Sequence, residues 1–342
     1  MTGASLATLA ALGNRGGRVS IDWSQLRLPV MQAPMLICSS LELVIASCRA
    51  GIIGAFPSGN PRAPDSLESW LAAIREAEAE SLGRGERFAP FCVNLLASTA
   101  IDQQVRAERL EICKKARVPL ILTNLGDPRA EVEAAHEWGG TVFHDVTTMR
   151  FAEKAIAAGV DGLMLVSGGA GGHAGTLNPF AFLPQVRRIF DGTIMLAGGI
   201  ADGNGIAAAL ALGADIVVMG TRFIATRESG TFDPHKQMLV DAKSEDVLFT
   251  DAIAGMPASF LRPSMIENGL DPDNLPPPKG LHRPDLPPGI RAWKNIWSGG
   301  HSTGLIDDVP SVAELVERLE TEFHAARDPG DWRAALLRSL TR

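Results

Sequence analysis

Eight short apolar runs, each followed by a longer segment of helical period, predict a (β/α)8 or TIM barrel for this chain of 342 residues. Several runs are apolar at nearly every position, as expected of parallel strands that are buried on both faces. Glycine is frequent, with 35 residues, which suits many tight turns between strands and helices. The predicted strands are residues 29–35, 51–56, 88–95, 118–124, 141–145, 162–167, 193–199 and 215–221.

The helical segments between these strands carry start and stop signals. Ser39 or Ser40 is suited to cap the first helix, and Asp127 precedes a proline that begins the fourth. Gly159 and Gly213 are expected to end two others, since glycine readily adopts the left-handed conformation found there. The predicted helices are residues 41–50, 66–82, 101–116, 128–138, 148–158, 180–190, 205–212 and 311–326.

A long insertion separates the eighth strand from the last helix. We divide the chain into a barrel domain, residues 1–228 and 302–342, and an insertion or small lid subdomain, residues 229–301. Residues 272–288 are too rich in proline and glycine to form regular structure. The insertion is interpreted either as a surface loop or as a lid, because long insertions on the loop face of a barrel often cover the active site.

The composition argues against several classes of function. A net charge of −7 disfavours a nucleic-acid partner, and no apolar run approaches the ~20 residues of a membrane helix. The apolar patch at residues 6–12 has no positive charge before it, so we predict no signal peptide and a cytoplasmic location. The cysteines lack the spacing of a zinc site, so no metal is expected, and they are interpreted as buried or inactive thiols. They are Cys38, Cys48, Cys92 and Cys113.

Glycine turns end the seventh and eighth predicted strands. Gly198 and Gly199 follow the seventh strand, and Gly220 and Thr221 follow the eighth. Barrel enzymes carry their active sites at the carboxyl ends of the strands, and the last two strands frequently form a phosphate site from backbone N–H groups. Either turn alone is explained by local geometry, but the two together favour phosphate binding.

A loop of small residues follows the sixth predicted strand. Residues 166–175 read VSGGAGGHAG and include His173. Histidine titrates near neutral pH, so we interpret His173 as a base or a hydrogen-bond donor that faces a ligand. A structural histidine is the alternative.

The same loop matches the G-x-G-x-x-A pattern of dinucleotide-binding folds. Gly169, Gly171 and Ala174 fit the pattern, and Asp191 lies at a suitable distance beyond them. In such folds the glycines lead directly into a helix. Here Pro179 and a further glycine interrupt the chain first, so we predict no dinucleotide fingerprint.

Restricted or polar residues end three other strands. Pro34 stiffens the chain after the first strand, where the turn is suited to lie along a flat ring. Asn94 emerges from the apolar third strand and needs a hydrogen-bond partner. His144 and Asp145 end the fifth strand, and they either line the site or, for Asp145, cap the next helix.

Taken together, these motifs resemble the nitronate monooxygenase family, once called 2-nitropropane dioxygenases. The resemblance runs from about residue 26 to residue 326. The segments that carry it are PVMQAPM, PFCVNLL, FHDVTTMRFAEKAIAAGVDGLMLV, GGAGGHAG, LAGGIADG, GADIVVMGTRFIATRES and the late WSGGH and GLIDD. It implies a TIM barrel that binds FMN without a covalent bond.

The resemblance also implies the residues of the site. His173 is the family's histidine, which takes a proton from a neutral nitroalkane or orients the nitronate. In the family the phosphate is held by residues that correspond to Gly198, Gly199, Gly220 and Thr221, and the other flavin-binding residues lie near the ring and the ribityl chain. The implied flavin-binding residues are Pro34, Met35, Asn94, Gly171, Gly172, Gly198, Gly199, Gly220 and Thr221.

Two positions depart from the family pattern. Some relatives carry a lysine after the histidine of the fifth strand and an acid at the end of the sixth. This chain has Asp145 and Val166 at those positions. The resemblance therefore gives little support for flavin-ring contacts at Asp145 and Val166.

The implied activity is the oxidation of an alkyl nitronate by O2 to a carbonyl compound and nitrite. One alternative is an NAD(P)H-dependent FMN reductase of quinones or enoyl thioesters, since related enzymes have a similar loop. Another is a flavin-binding barrel without turnover. The partners expected are a small-molecule substrate and O2, without nucleic acid or membrane, and the sequence is compatible with a homodimer. Trp293 and Trp297 are expected to pack the insertion, while a packing role and a flavin contact both stay open for His301.

Overall fold

The computed structural model describes residues 21–98 and 102–327. The apolar patch at residues 6–12 and the first residue of the helix predicted at 101–116 lie outside the described residues. The strands in chain order are β1 Val30–Gln32, β2 Gly54–Pro57, β3 Phe91–Leu96, β4 Leu120–Asn124, β5 Thr141–Val146, β6 Gly162–Val166, β7 Gly172–His173, β8 Thr193–Ala197, β9 Ile216–Met219, β10 Val247–Thr250 and β11 Ala258–Leu261.

Eight parallel strands form the barrel, with neighbours in the order β1-β9-β8-β6-β5-β4-β3-β2. The ring closes between β1 and β2. There the amide of Ile53 donates a 2.9 Å hydrogen bond to the carbonyl of Val30, and the amide of Gln32 donates a 2.8 Å bond to the carbonyl of Ile53. The predicted TIM barrel is therefore confirmed.

Helices cover the outside of the barrel. Ser40 caps the first helix, and Ser66 and Ser311 form capping boxes at two others. Single turns of 3-10 helix occur at Trp23–Gln25, Ser244–Asp246 and His301–Leu305. The α-helices are α1 Leu41–Ala50, α2 Leu67–Gly83, α3 Gln103–Lys115, α4 Arg129–Trp138, α5 Met149–Ala157, α6 Pro179–Arg187, α7 Gly203–Leu212, α8 Thr221–Ile224, α9 Asp233–Asp241, α10 Arg262–Glu267 and α11 Val312–Ala326.

Side chains of the strands alternate between the barrel interior and the helical layer. On β5, Val142 and Val146 belong to the core between strands and helices, whereas Phe143 belongs to the core inside the barrel. The interior is filled by fully buried apolar side chains such as Met31 and Met195, each of which contributes roughly 1.5–3 kcal/mol through burial. A ligand must therefore bind at the rim and not in the centre of the barrel.

The strand ends and helix starts differ from the sequence prediction in places. The first strand stops at Gln32, because the chain turns away before Pro34. Thr221 begins the short helix α8 and does not belong to a strand. Asp145 is not a helix cap, since Thr148 caps α5 by accepting a hydrogen bond from the Phe151 amide.

One predicted helix start is also shifted by a residue. Pro128 occupies the N-cap position of α4, so it lies one residue before the helix and not at its first position. Asp127 nevertheless accepts a 3.1 Å hydrogen bond from the amide of Arg129. The carboxylate therefore satisfies one of the free amides at this helix start.

The insertion contains regular structure that the sequence did not predict. Its strands β10 and β11 form an antiparallel sheet with β7, which belongs to the glycine loop after β6. In this sheet Ala258 pairs with His173 and Ser259 pairs with Gly172. Residues 272–288 contain no helix or strand apart from a bridge between Gly280 and its near neighbour, as predicted from their composition.

The remaining sequence expectations concern cysteines and membrane spans. All four cysteines are buried free thiols, and burial raises the pKa of the Cys38 thiol to about 11. Over residues 21–98 and 102–327, no helix is both long and apolar enough to cross a membrane.

Candidate active site

The carboxyl ends of the barrel strands bring many of the predicted residues together at one rim. A Cβ atom built on Gly220 would lie 3.5 Å from the Sδ atom of Met35. A Cβ atom built on Gly171 would lie 3.2 Å from the Oγ1 atom of Thr221 and 3.0 Å from the amide nitrogen of Gly300. The ends of β1 and β9 therefore adjoin, and the glycine loop after β6 lies beside the end of β9.

The turn after β1 is held by buried polar side chains. The Oγ atom of Ser39 accepts a 2.9 Å hydrogen bond from the Met35 amide and another from the Nε2 atom of Gln32. The Nδ2 atom of Asn60 donates 2.9 Å hydrogen bonds to the carbonyls of Met35 and Ser39. The turn is thus fixed before any ligand binds. Sequence reasoning missed Gln32 and Asn60, although Gln32 in an otherwise apolar strand was a usable signal.

Asn94 lies at the rim and has the partner that its burial requires. Its Nδ2 atom donates a 3.0 Å hydrogen bond to the carbonyl of Leu122 and lies 3.4 Å from the Oδ1 atom of Asn124. Asn94 and Leu122 are paired in register, and Leu122 points into the barrel. Asn94 and Asn124 therefore face inward at the top of β3 and β4.

His144 and Asp145 point to opposite sides of β5. The Nδ1 atom of His144 lies 2.8 Å from the Oγ1 atom of Thr123, and burial lowers the pKa of His144 to about 4. His144 alternates with the inward-pointing Phe143, so it belongs to the helical layer and has a structural role. Asp145 points inward at the rim, and burial raises the pKa of its carboxyl to about 7.

His173 lies in the two-residue strand β7 at the mouth of the barrel. Its Nδ1 atom is 3.3 Å from the carbonyl of Pro257, which accepts only an N–H group, so Nδ1 carries the proton and Nε2 is left as an acceptor. Loss of solvation around the ring lowers the pKa of His173, and the bond to Pro257 acts in the opposite direction. The ring of Trp293 meets the imidazole edge-on at a centroid distance of 5.3 Å.

Ser298 fixes the glycine loop from the side of the insertion. Its Oγ atom accepts a 2.8 Å hydrogen bond from the Gly172 amide and donates one of 2.8 Å to the carbonyl of Ser259. The Nε2 atom of buried His235 donates a 3.0 Å hydrogen bond to the carbonyl of Ser298. Trp297 stacks on His235 with a centroid distance of 5.2 Å. Trp297 therefore packs the insertion, as expected, and supports His235 from one side.

The loop of residues 299–301 lies against the glycine loop. The amide of Gly300 donates a 3.0 Å hydrogen bond to the Oγ1 atom of Thr221. The amide of His301 donates a 2.9 Å bond to the carbonyl of Gly169, and the His301 ring lies next to Gly169. His301 therefore belongs to the same rim as His173.

Open space remains at two glycines of the rim. Gly172 and Gly199 have left-handed φ angles of 68° and 71°, and a Cβ atom built on either would meet no atom within 4 Å. Two amides in the first turn of α7 are already used. Gly203 donates to the Glu322 carboxylate and Gly205 donates to Asp202, each at or below 2.8 Å. Space for a ligand is thus available at Gly199, while the amides of Gly203 and Gly205 already have acceptors.

The described part of the chain contains no group of three or more His, Cys, Asp or Glu side chains that could hold a metal ion. The polar groups of the rim are instead amides, hydroxyls, the imidazoles of His173 and His301, and one carboxyl. Such groups hold organic ligands through hydrogen bonds.

Comparison with known proteins assigns the chain to a family. The family described as nitronate monooxygenase matches residues 18–322. The nitronate monooxygenase of Paraburkholderia phytofirmans is 27% identical over 86% of this chain and 92% of its own length. The solved structure of nitroalkane oxidase from Streptomyces ansochromogenes is 25% identical, with a TM-score of 0.70 over 89% of this chain and 98% of that one.

A third relative points to other chemistry. The (3aS,4S,5R,7aS)-5-hydroxy-7a-methyl-1-oxo-octahydro-1H-indene-4-carboxyl-CoA dehydrogenase of Mycobacterium tuberculosis is 31% identical over 70% of this chain. The chain spans 64% of that relative, which is less than two thirds of its length. Together these matches show an oxidoreductase that depends on a flavin. The chain belongs to the nitronate monooxygenase family.

Proposed function

We propose that this protein oxidises alkyl nitronates, and the nitroalkanes that yield them, with FMN and O2 to a carbonyl compound and nitrite. The observation that carries this proposal is His173, a histidine held at the barrel mouth with its Nε2 atom left as an acceptor. The family and the similarity to nitroalkane oxidase support the substrate class. The alternative of a barrel without turnover is not supported, because the relatives are enzymes.

The open space at Gly199 supports an FMN site at this rim. We assign the phosphate to the backbone around Gly198, Gly199, Gly220 and Thr221, where Gly199 leaves open space. We assign the ring and the ribityl chain to the remaining implied residues. These are Pro34, Met35, Asn94, Gly171 and Gly172.

The flavin, when bound, supplies the electron acceptor, and the protein supplies position and proton transfer. His173 is neutral at pH 7, because burial lowers its pKa. A neutral imidazole with Nδ1–H held by Pro257 presents Nε2 as a base. His173 takes the α-proton of a neutral nitroalkane, or orients a nitronate that arrives already deprotonated. The Trp293 ring restricts the imidazole from one side.

We further propose that residues 229–301 act as a lid on the barrel domain of residues 1–228 and 302–342. The support is contact with the glycine loop at three places. Ala258 pairs with His173, Ser298 accepts from Gly172, and Trp293 packs on His173. A surface loop without a role in the site would not be expected to reach the candidate base.

The test compares two substrates in one variant. In His173→Gln we expect turnover of a neutral nitroalkane to fall by about 100-fold or more, the range of general-base catalysis. Turnover of the preformed nitronate should fall far less, because no proton remains to be removed. The matched control is His324→Gln, which replaces an exposed histidine of α11. Equal losses on both substrates, or no loss on either, would contradict the role of His173 as the base.

A second candidate function is the reduction or oxidation of a coenzyme A thioester. The observation that favours it is the relative from Mycobacterium tuberculosis, which is named as a carboxyl-CoA dehydrogenase and is 31% identical. A flavin enzyme that reduces such a thioester would take its electrons from NADH or NADPH. Anaerobic reduction of the bound flavin by NADH or NADPH, and not by a nitronate, would favour this candidate.

A further inference from the structure

Asp145 is a carboxyl group that the functions above leave unused. It is paired in register with Met164 of β6, and Met164 points into the barrel. In a parallel sheet, paired residues share a face, so Asp145 also points inward at the rim. On the neighbouring strand β4, the last residue is Asn124, which shares this inward face and whose Oδ1 atom lies 3.4 Å from the Nδ2 atom of Asn94 of β3. These three side chains form a polar arc above the apolar interior.

No group of the described residues satisfies this carboxyl. Asn94 donates to the Leu122 carbonyl and toward Asn124, and no hydrogen bond or ion pair joins Asp145 to a described residue. Neighbouring elements present Asn94 from β3, Asn124 from β4, and Met164 and Val166 from β6. None of these side chains titrates. A half-buried carboxyl without a partner is costly when it is ionised.

We propose that Asp145 faces the flavin and, in its protonated form, donates a hydrogen bond to an acceptor on the flavin ring. The inference rests on the proposed FMN site. The polar arc of Asn94, Asn124 and Asp145 then supplies the hydrogen bonds along one edge of the ring. When Asp145 loses its proton it can no longer donate, and its charge opposes the approach of an electron-rich acceptor.

The proton state of Asp145 in the free protein makes this testable. Burial, without any charged neighbour, raises the pKa of Asp145 to about 7. Binding of a flat ring removes more water from the carboxyl, so the bound protein retains the proton to a higher pH. FMN binding near pH 7.5 is therefore accompanied by proton uptake at Asp145.

The experiment measures the FMN dissociation constant of the apoprotein by fluorescence quenching at several pH values. In the wild type we expect affinity to fall by roughly tenfold or more between pH 6 and pH 8.5. In Asp145→Asn, which retains a donor but cannot ionise, affinity should be nearly constant, apart from the ionisation of the FMN phosphate that both proteins share. Calorimetry at pH 7.5 in two buffers of different ionisation enthalpy checks the result. It should show greater proton uptake in the wild type.

The outcomes separate this inference from the proposed function. If FMN binds to both proteins with the same pH dependence and the same proton uptake, Asp145 does not donate to the flavin, and the FMN site stands. If the wild type binds no FMN at any pH, the proposed function fails and this inference fails with it. If Asp145→Asn does not fold, the wild-type calorimetry decides, and proton uptake no greater than the phosphate ionisation of FMN explains overturns the inference.

Discussion

The amide of Gly172 donates a 2.8 Å hydrogen bond to the Oγ atom of Ser298, which lies 126 residues further along the chain. This contact joins the glycine loop after β6 to the end of the insertion. Gly172 adjoins His173, so the position of the candidate base depends on a residue outside the barrel strands. The serine is fixed in turn by Ser259 and His235.

Ser298→Ala tests this connection. Loss of the hydroxyl leaves the Gly172 amide without its acceptor, at a cost of about 1–3 kcal/mol when such a group stays buried. We expect kcat/KM for a neutral nitroalkane to fall by roughly tenfold, with a smaller effect on preformed nitronate. Steady-state kinetics and thermal unfolding measure the two effects. Ser264→Ala is the matched control. The hydroxyl of Ser264 accepts a hydrogen bond from the amide of Trp297, the residue before Ser298. If both variants lose activity equally, Ser298 contributes only stability.

Gly199→Ala tests the open space assigned to the phosphate. The left-handed φ of Gly199 means that alanine costs about 1–2 kcal/mol in stability. The added methyl group also occupies the space meant for the ligand, so we expect the FMN dissociation constant to rise by about tenfold, or 1.4 kcal/mol.

The matched control for this variant is Gly269→Ala. Gly269 has a φ of 75° and the same open surroundings, but it follows α10 in the insertion. It should lose similar stability and keep FMN affinity. Equal FMN affinity in both variants would show that Gly199 does not border the phosphate.

Trp293 is expected to affect the base through its edge-on contact with His173. Such an aromatic contact is worth about 0.5–1.5 kcal/mol, so Trp293→Ala should lower kcat/KM for a neutral nitroalkane by roughly threefold to tenfold. Trp293→Phe preserves an aromatic edge and should retain most of the activity. The pH profile of kcat/KM provides the second readout. An unchanged profile in Trp293→Ala would indicate that the indole only packs the insertion.

Acid stability should depend on His235. Burial lowers the pKa of His235 to about 4, so the folded protein keeps this ring neutral where the unfolded chain is protonated. Below about pH 6.5 the unfolded state therefore binds more protons, and stability is lost as the pH falls toward 4. Between pH 7 and pH 4.5, we expect the wild type to lose roughly 1–2.5 kcal/mol more unfolding free energy than His235→Gln.

Urea unfolding at several pH values measures this difference. The wild type must be compared with His235→Gln, because Asp145 changes the free energy of unfolding with pH in the opposite direction to His235. Its raised pKa makes the folded state lose stability as the pH rises toward 7. The exposed His324→Gln serves as the control and should follow the wild type. A difference between wild type and His235→Gln that does not change with pH would show that His235 is not buried in its neutral form.

The barrel was predictable because its signals are local. Each buried strand is a run of apolar residues, and Gly213 ends its helix in the left-handed conformation that glycine favours. The inward direction of Asp145 also follows from the two-residue period of a strand once Phe143 is assigned to the interior. The sequence could not decide whether Asp145 lines the rim or caps the next helix, because Thr148 offered no stronger cap signal than Asp145.

The small sheet and its contacts were not predictable. The strand β7 has only two residues, and it forms because β11 of the insertion lies beside it. Ser298 lies in the WSGGH motif, but nothing in that motif indicates a contact with Gly172, and His235 lies in no motif. Their roles arise from tertiary contacts across long loops, on which propensity and periodicity provide no information. The residues of the rim could thus be listed from the sequence, but not the residues that hold them.

The central claim is that this barrel holds FMN and passes electrons to it from a nitronate. The most direct measurement is a visible spectrum of the purified protein, followed by anaerobic additions of NADPH, NADH and then a primary alkyl nitronate. We expect flavin bands that the nucleotides leave unchanged and the nitronate bleaches. Bleaching by NADPH or NADH alone would assign the chain to the reductase function. The absence of flavin bands, even after FMN is added, would contradict the account as a whole.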